Sequence, residues 1–97
     1  MIYYTIVLVM IYIVVYDLLE PGQHYDSLIK KIKEYDGWAK LGYSCFLIKT
    51  EKYATEVRDE LIQFVDENDK LYVGKVTTPA AWLNMPKDVV KWINDNL

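Results

Sequence analysis

One cysteine, one histidine and one arginine are all that the 97 residues hold of those three types. Cys45 alone can close no intrachain disulfide and no cysteine metal cluster, which suits a reducing cytoplasm. It lies within Tyr43 to Ile48, an apolar stretch in which it reads as a small buried residue. A catalytic thiol would need a base and a third, orienting group. His24, beside Pro21 and Gly22 in a loop, has nothing to link it to Cys45. No glycine-rich phosphate loop is present, because Gly37, Gly42 and Gly74 are scattered singly. No basic excess exists either. Eleven basic against 14 acidic side chains give a formal net charge of -3, so no field over the whole surface recruits nucleic acid, although a local patch could. Also missing is an apolar helix of membrane length. Met1 to Tyr16 carry no charge, but as a helix they would reach about 24 Å against a hydrocarbon core of about 30 Å. The positive start of a signal peptide is absent too, so no membrane segment is expected.

What is there is apolar, at 53% of residues, enough for one domain over 1–97 with one core. Met10 to Asp17 (Met-Ile-Tyr-Ile-Val-Val-Tyr-Asp) reads as a strand buried on both faces and ended by its first charge. The whole uncharged run would make a strand of about 53 Å, far beyond the usual five or six residues, so something must break it. Residues 1–9 are then an appended strand, or an artefact of the gene call with Met10 as the start, since Met10-Ile11-Tyr12 echoes Met1-Ile2-Tyr3.

Pro21 and Gly22 mark a turn. From His24 to Asp36, apolar residues at spacings of three and four (Tyr25, Leu28, Ile29, Ile32, Tyr35) predict an amphipathic helix. Asp26 stands near its start and Lys30, Lys31 and Lys33 late in it, as the helix dipole favours. Trp38 to Thr50 reads as extended chain, and Gly42 allows a bulge or, preferably, a tight hairpin. Thr50 is the expected N-cap of a second helix running to about Asn68, with Ala54, Val57, Leu61, Phe64 and Val65 as its buried stripe. Asp66 to Asp69 form a solvated break. Leu71 to Val76 reads as the last strand, with Leu71 and Val73 on one side and Tyr72 on the other. Pro86 suits the first turn of a C-terminal helix within 84–97, where Val89, Val90, Ile93 and Leu97 make a stripe.

Strand, helix, strand, strand, helix, strand and helix predict an α+β protein. By the right-handed crossover rule its form is a ferredoxin-like split βαβ antiparallel sheet, with two helices on one face and a C-terminal helix added. The other face is expected to stay uncovered, and so rich an apolar surface calls for a homodimer or a protein partner.

Val14 to Leu18 (Val-Val-Tyr-Asp-Leu), followed by a loop, a helix and then Leu41-Gly42-Tyr43-Ser44-Cys45-Phe46, resembles the small CRISPR-associated protein of the spacer-acquisition complex. The likeness is stronger to its VapD-type ribonuclease and SinR-like relatives outside CRISPR loci, and it spans about Met10 to Val76. It implies a homodimer in which two sheets meet, and a defence, toxin-antitoxin or mobile-element setting. It also implies Asp17 as the catalytic and metal-binding carboxylate, one from each copy, with Ser44 matching the serine that opens the third strand. Two such carboxylates would suit Mg²⁺, which accepts one or two along with waters and phosphates.

Two features depart from that pattern. The only arginine, Arg58, lies on the second helix, and the first carries lysines, which lack the guanidinium fork. Lys30, Lys31, Lys33 and Lys40, interleaved with Tyr35 and Trp38, could still form a nucleic-acid-binding edge. The alternatives are therefore a non-catalytic interaction module, which the acidic balance favours, and a metal-dependent endoribonuclease or nucleic-acid-binding protein built on paired Asp17.

Overall fold

The computed structural model describes residues 8–19 and 25–97. Expectations about 1–7, the Pro21-Gly22 turn and His24 lie outside the described residues. In chain order the elements are β1 (Met10–Asp17), α1 (Tyr25–Ile32), β2 (Gly37–Gly42), β3 (Cys45–Thr50), α2 (Ala54–Leu61), a 3-10 turn (Ile62–Phe64), β4 (Lys70–Lys75) and α3 (Lys87–Asn96). The strands form one antiparallel sheet in the order β2-β3-β1-β4, the ferredoxin-like arrangement.

Alternation along β1 decides what each face buries. Tyr12, Val14 and Tyr16 point to one side, where Phe46 and Ile48 of β3 join Leu28 and Ile32 of α1 and Val57 and Leu61 of α2 in a fully enclosed core. Each of these apolar side chains contributes about 1.5–3 kcal/mol relative to its exposed state. This is the predicted two-helix face.

The opposite face departs from expectation. Ile11 and Leu47 are buried there with Ala39, beneath Val89 and Ile93 of α3, and Trp92 and Leu97 pack around them. The underside is therefore not bare, because the apolar stripe of α3 needs cover as much as the sheet does. The roof is partial, though. Along the underside row of β1, Ile11 is 7% exposed, Ile13 half-buried, Val15 39% exposed, and Asp17 exposed. So β1 is buried on both faces over its first half alone.

Other local details refine or correct the sequence reading. Gly42 serves both roles open to it: the β2-β3 register shifts between Lys40 and Gly42, and Tyr43 and Ser44 make the hairpin turn. Thr50 is not a helix cap. It ends β3, paired with Met10 and 3% exposed, and its hydroxyl accepts the Lys52 N–H at 3.2 Å. The chain reaches the N-cap of α2, Tyr53, three residues later, where the Glu56 carboxylate accepts the Tyr53 N–H at 3.0 Å and satisfies a donor at the helix start. Helical structure ends with the 3-10 turn at Phe64, short of Asn68, and Val65 is extended. The acidic break is folded on itself, since the Asp69 carboxylate accepts the N–H groups of Asp66 and Leu19, both at 2.7 Å.

Candidate functional site

Asp17 is the last residue of β1, exposed, in register with Lys70 of β4. Strand alternation puts it on the underside row with Ile13 and Val15, beyond the reach of α3. Ser44 sits in the hairpin turn, and its carbonyl accepts the Tyr16 N–H at 3.1 Å. That ties it to the neighbour of Asp17 whose side chain points the other way. Among the described residues no three His, Cys, Asp or Glu side chains gather as metal ligands. An ion at Asp17 would need further oxygen ligands from elsewhere.

The four lysines are not one patch. Lys31 is drawn to Glu60 at 3.5 Å and Glu34 at 3.7 Å. Lys30 is exposed on α1. Lys33 lies over the Trp38 ring at 4.7 Å and Lys40 over the Tyr43 ring at 5.7 Å, each a cation–π contact. Lys31 also lies over the Tyr35 ring, at 5.6 Å, so the aromatics interleaved with the lysines are Tyr35 and Trp38, as expected, with Tyr43 added. Tyr35 belongs to a charged cluster as well, with its hydroxyl 3.5 Å from Glu60 Oε2. Burial, then the nearby Glu60, raises the Tyr35 phenol above its ordinary value. Burial pushes the Glu60 carboxyl up, but Lys52, at 2.9 Å from Oε2, and Lys31 overcome it, so that carboxyl titrates below its usual range.

The β2-β3 turn is held from beneath. Tyr16 Oη donates to the Tyr43 carbonyl at 3.2 Å, and Tyr25 Oη donates to the same oxygen. The two rings meet edge to face at 5.8 Å. Tyr16, 2% exposed, has its phenol raised chiefly by burial and then by its partner Tyr25. Neither tyrosine was singled out as a partner of the turn from sequence, because separations of 27 and 18 residues leave no local signal. Cys45 is half-buried, and burial raises its thiol, which weakens it as a nucleophile.

What the sequence reading did not single out is the exposed apolar strip left by α3. Val15 faces Cys45 on one side and Tyr72, 64% exposed, on the other. Leu8 and Val9, before β1, are 66% and 48% exposed. No described helix is long and apolar enough to cross a membrane. Comparison of the chain with protein-family models, with curated proteins and with solved structures finds no match.

Proposed function

We propose that this protein is a non-catalytic interaction module. It self-associates through the half of the sheet underside that α3 leaves open, in the defence, toxin-antitoxin or mobile-element setting that its resemblance to the small CRISPR-associated and VapD-like proteins suggests. The observation that carries the reading is the gradient of exposure along β1, from Ile11 at 7% to Val15 at 39%, with Tyr72 at 64% beside it. Water-facing Val, Tyr and Ile side chains on a regular sheet are surface that a partner removes from water at about 25 cal/mol per Å². A stable interface takes roughly 800 Å² from each partner. Val15→Lys sets a charge in the middle of the strip without touching either core, so it is expected to turn a dimer into a monomer in sedimentation with the fold retained by circular dichroism. A wild-type chain that sediments as a monomer at every concentration overturns the reading.

A second reading rests on the position of Asp17. It shares the underside row with Val15, so a two-fold axis through the strip would place two carboxylates on one side of the pair. Mg²⁺ held by them, with waters and a substrate phosphate, would polarise a phosphodiester. Asp17→Ala then abolishes Mg²⁺-dependent RNA cleavage. Under the first reading it changes nothing measurable.

A further inference from the structure

We propose that α3 is a displaceable lid: a second copy first meets the open strip, and the pair is completed when residues 77–97 lift from the sheet and free the whole underside. The inference rests on the self-association just described and names what regulates it. Among the described residues, 77–97 are attached to the rest of the chain by apolar packing alone. The last polar tie is the Val76 N–H, which donates to the Ile11 carbonyl at 2.8 Å. Beyond it every hydrogen bond and ion pair closes within 86–97: Lys91 with Asp95 at 2.7 Å, the Asn96 amide with the Trp92 carbonyl at 2.8 Å, the Val90 N–H with the Pro86 carbonyl at 3.0 Å and the Leu97 N–H with the Ile93 carbonyl at 2.9 Å. The helices of the other face are fastened differently, since Tyr25 of α1 donates to the Tyr43 carbonyl and Lys31 of α1 reaches Glu60 of α2.

The apolar grip is also incomplete. Val89 and Ile93 each keep 6% of their surface exposed, whereas Leu28, Ile32, Val57 and Leu61 on the other face keep none. Clefts run along both flanks of α3. One of about 430 Å³ lies between it and β2, bounded by Trp38, Lys40, Val89 and Trp92, and another of about 290 Å³ separates it from Pro79 and Trp82 of the tether. Atoms that line such gaps have no partner on one side, which weakens the hold on α3. The tether permits the movement. Residues 77–86 carry no helix or strand, and Thr77 to Asn84 are all exposed. Extended, ten residues reach about 33 Å, against about 14 Å between the outer strands of a four-stranded sheet.

What lies beneath α3 decides the occupant. Ile11, Ala39 and Leu47 continue the row of Ile13 and Val15 as one apolar sheet face. Two sheets pack face to face at about 10 Å, and a helix with its side chains fills about the same depth. With α3 seated, a second copy is therefore confined to the strip. Nor does α3 suit the role of a filling between two sheets, because its outward side chains are Lys87, Asp88, Lys91, Asn94 and Asp95, all exposed and polar. Burying those charges against an apolar sheet is costly. The underside of a second copy is the matching occupant, since a two-fold pair lays one patch on the same patch.

The test is hydrogen exchange of the full chain at rising protein concentration, beside sedimentation. As the dimer forms, the α3 amides from Val90 to Leu97 are expected to exchange at least tenfold faster, while that of Val57 in α2 keeps its protection. Ile93→Val, which trims the grip of the lid by one carbon and keeps the fold by circular dichroism, is expected to raise the association constant several-fold although it lowers stability. A dimer whose α3 amides keep or gain protection overturns the lid and leaves the strip interface standing, as does an Ile93→Val chain that associates no better than wild type. A wild type that stays monomeric at every concentration overturns the lid together with the self-association on which it rests.

Discussion

Tyr72 lies along its own strand with its ring against Gly74: Cε1 is 2.6 Å from where a Cβ on that glycine would stand. Gly74→Ala therefore lifts the ring off the strip beside Val15. The moving atoms are the far end of a side chain, so the fold is not strained, and loss of glycine from a strand interior is expected to add about 0.5–1 kcal/mol of stability. The expected result is a small rise in melting temperature with weaker self-association. A variant that associates as well as wild type would show that the position of Tyr72 does not matter to the interface.

Tyr16 and Tyr25 give their hydroxyls to one carbonyl, so each can cover for the other. Tyr16→Phe or Tyr25→Phe alone should cost about 0.5 kcal/mol, and the pair together about 1–2 kcal/mol, more than the sum of the singles. Denaturant titration of the four proteins measures that coupling.

The alkaline limb of stability follows from the raised phenols of Tyr12, Tyr16 and Tyr35, each chiefly desolvated by burial. In the unfolded chain they ionise near pH 10, while in the folded one they keep their protons to higher pH. Above about pH 10 the folded state thus binds more protons. Its stability, complete below that pH, is expected to fall with a slope approaching about 1.4 kcal/mol per pH unit for each such group. Unfolding free energies between pH 8 and 11 check the sign (a chain that gains stability over that range contradicts it).

Ile93→Ala tests the roof. Ile93 is 6% exposed against Ile11, Ala39 and Leu47, so truncation should cost about 2–4 kcal/mol. If α3 then loosens, binding of a hydrophobic dye should rise as the underside opens, whereas Leu28→Ala in the other core should lower stability without that rise.

Glu60 is held ionised by Lys52 and Lys31 against the opposing effect of its burial. With Lys52→Met the balance turns, and the Glu60 carboxyl, followed by NMR, should titrate higher than in wild type. Because its folded value is the depressed one, its contribution is present at neutral pH and lost as pH falls through that value.

Periodicity carried most of the fold. Leu28 and Ile32, four apart, and Val57 and Leu61, four apart, announced the two helices that meet the sheet, and the alternation of Tyr12, Val14 and Tyr16 announced their target. Thr50 misled because a Thr-Glu pair before a helical stripe imitates a cap, whereas pairing with Met10 keeps it in β3. The stripe of Val89 and Ile93 was equally plain, but a stripe does not say which surface it will meet, so the half-roofed underside was illegible. The partners of the lysines were illegible for a related reason. Only the fold brings Lys31 to Glu60 or sets Tyr43 beneath Lys40.

The Tyr43 side chain, 86% exposed, is the kind of site that chymotrypsin-like proteases seek. Cleavage, however, requires several residues to enter the enzyme cleft in extended form, and the carbonyl at that bond is fastened by two buried-side phenols. Nicking at this tip should therefore proceed only as fast as the hairpin pulls free of Tyr16 and Tyr25, which makes limited digestion a clock for that local opening.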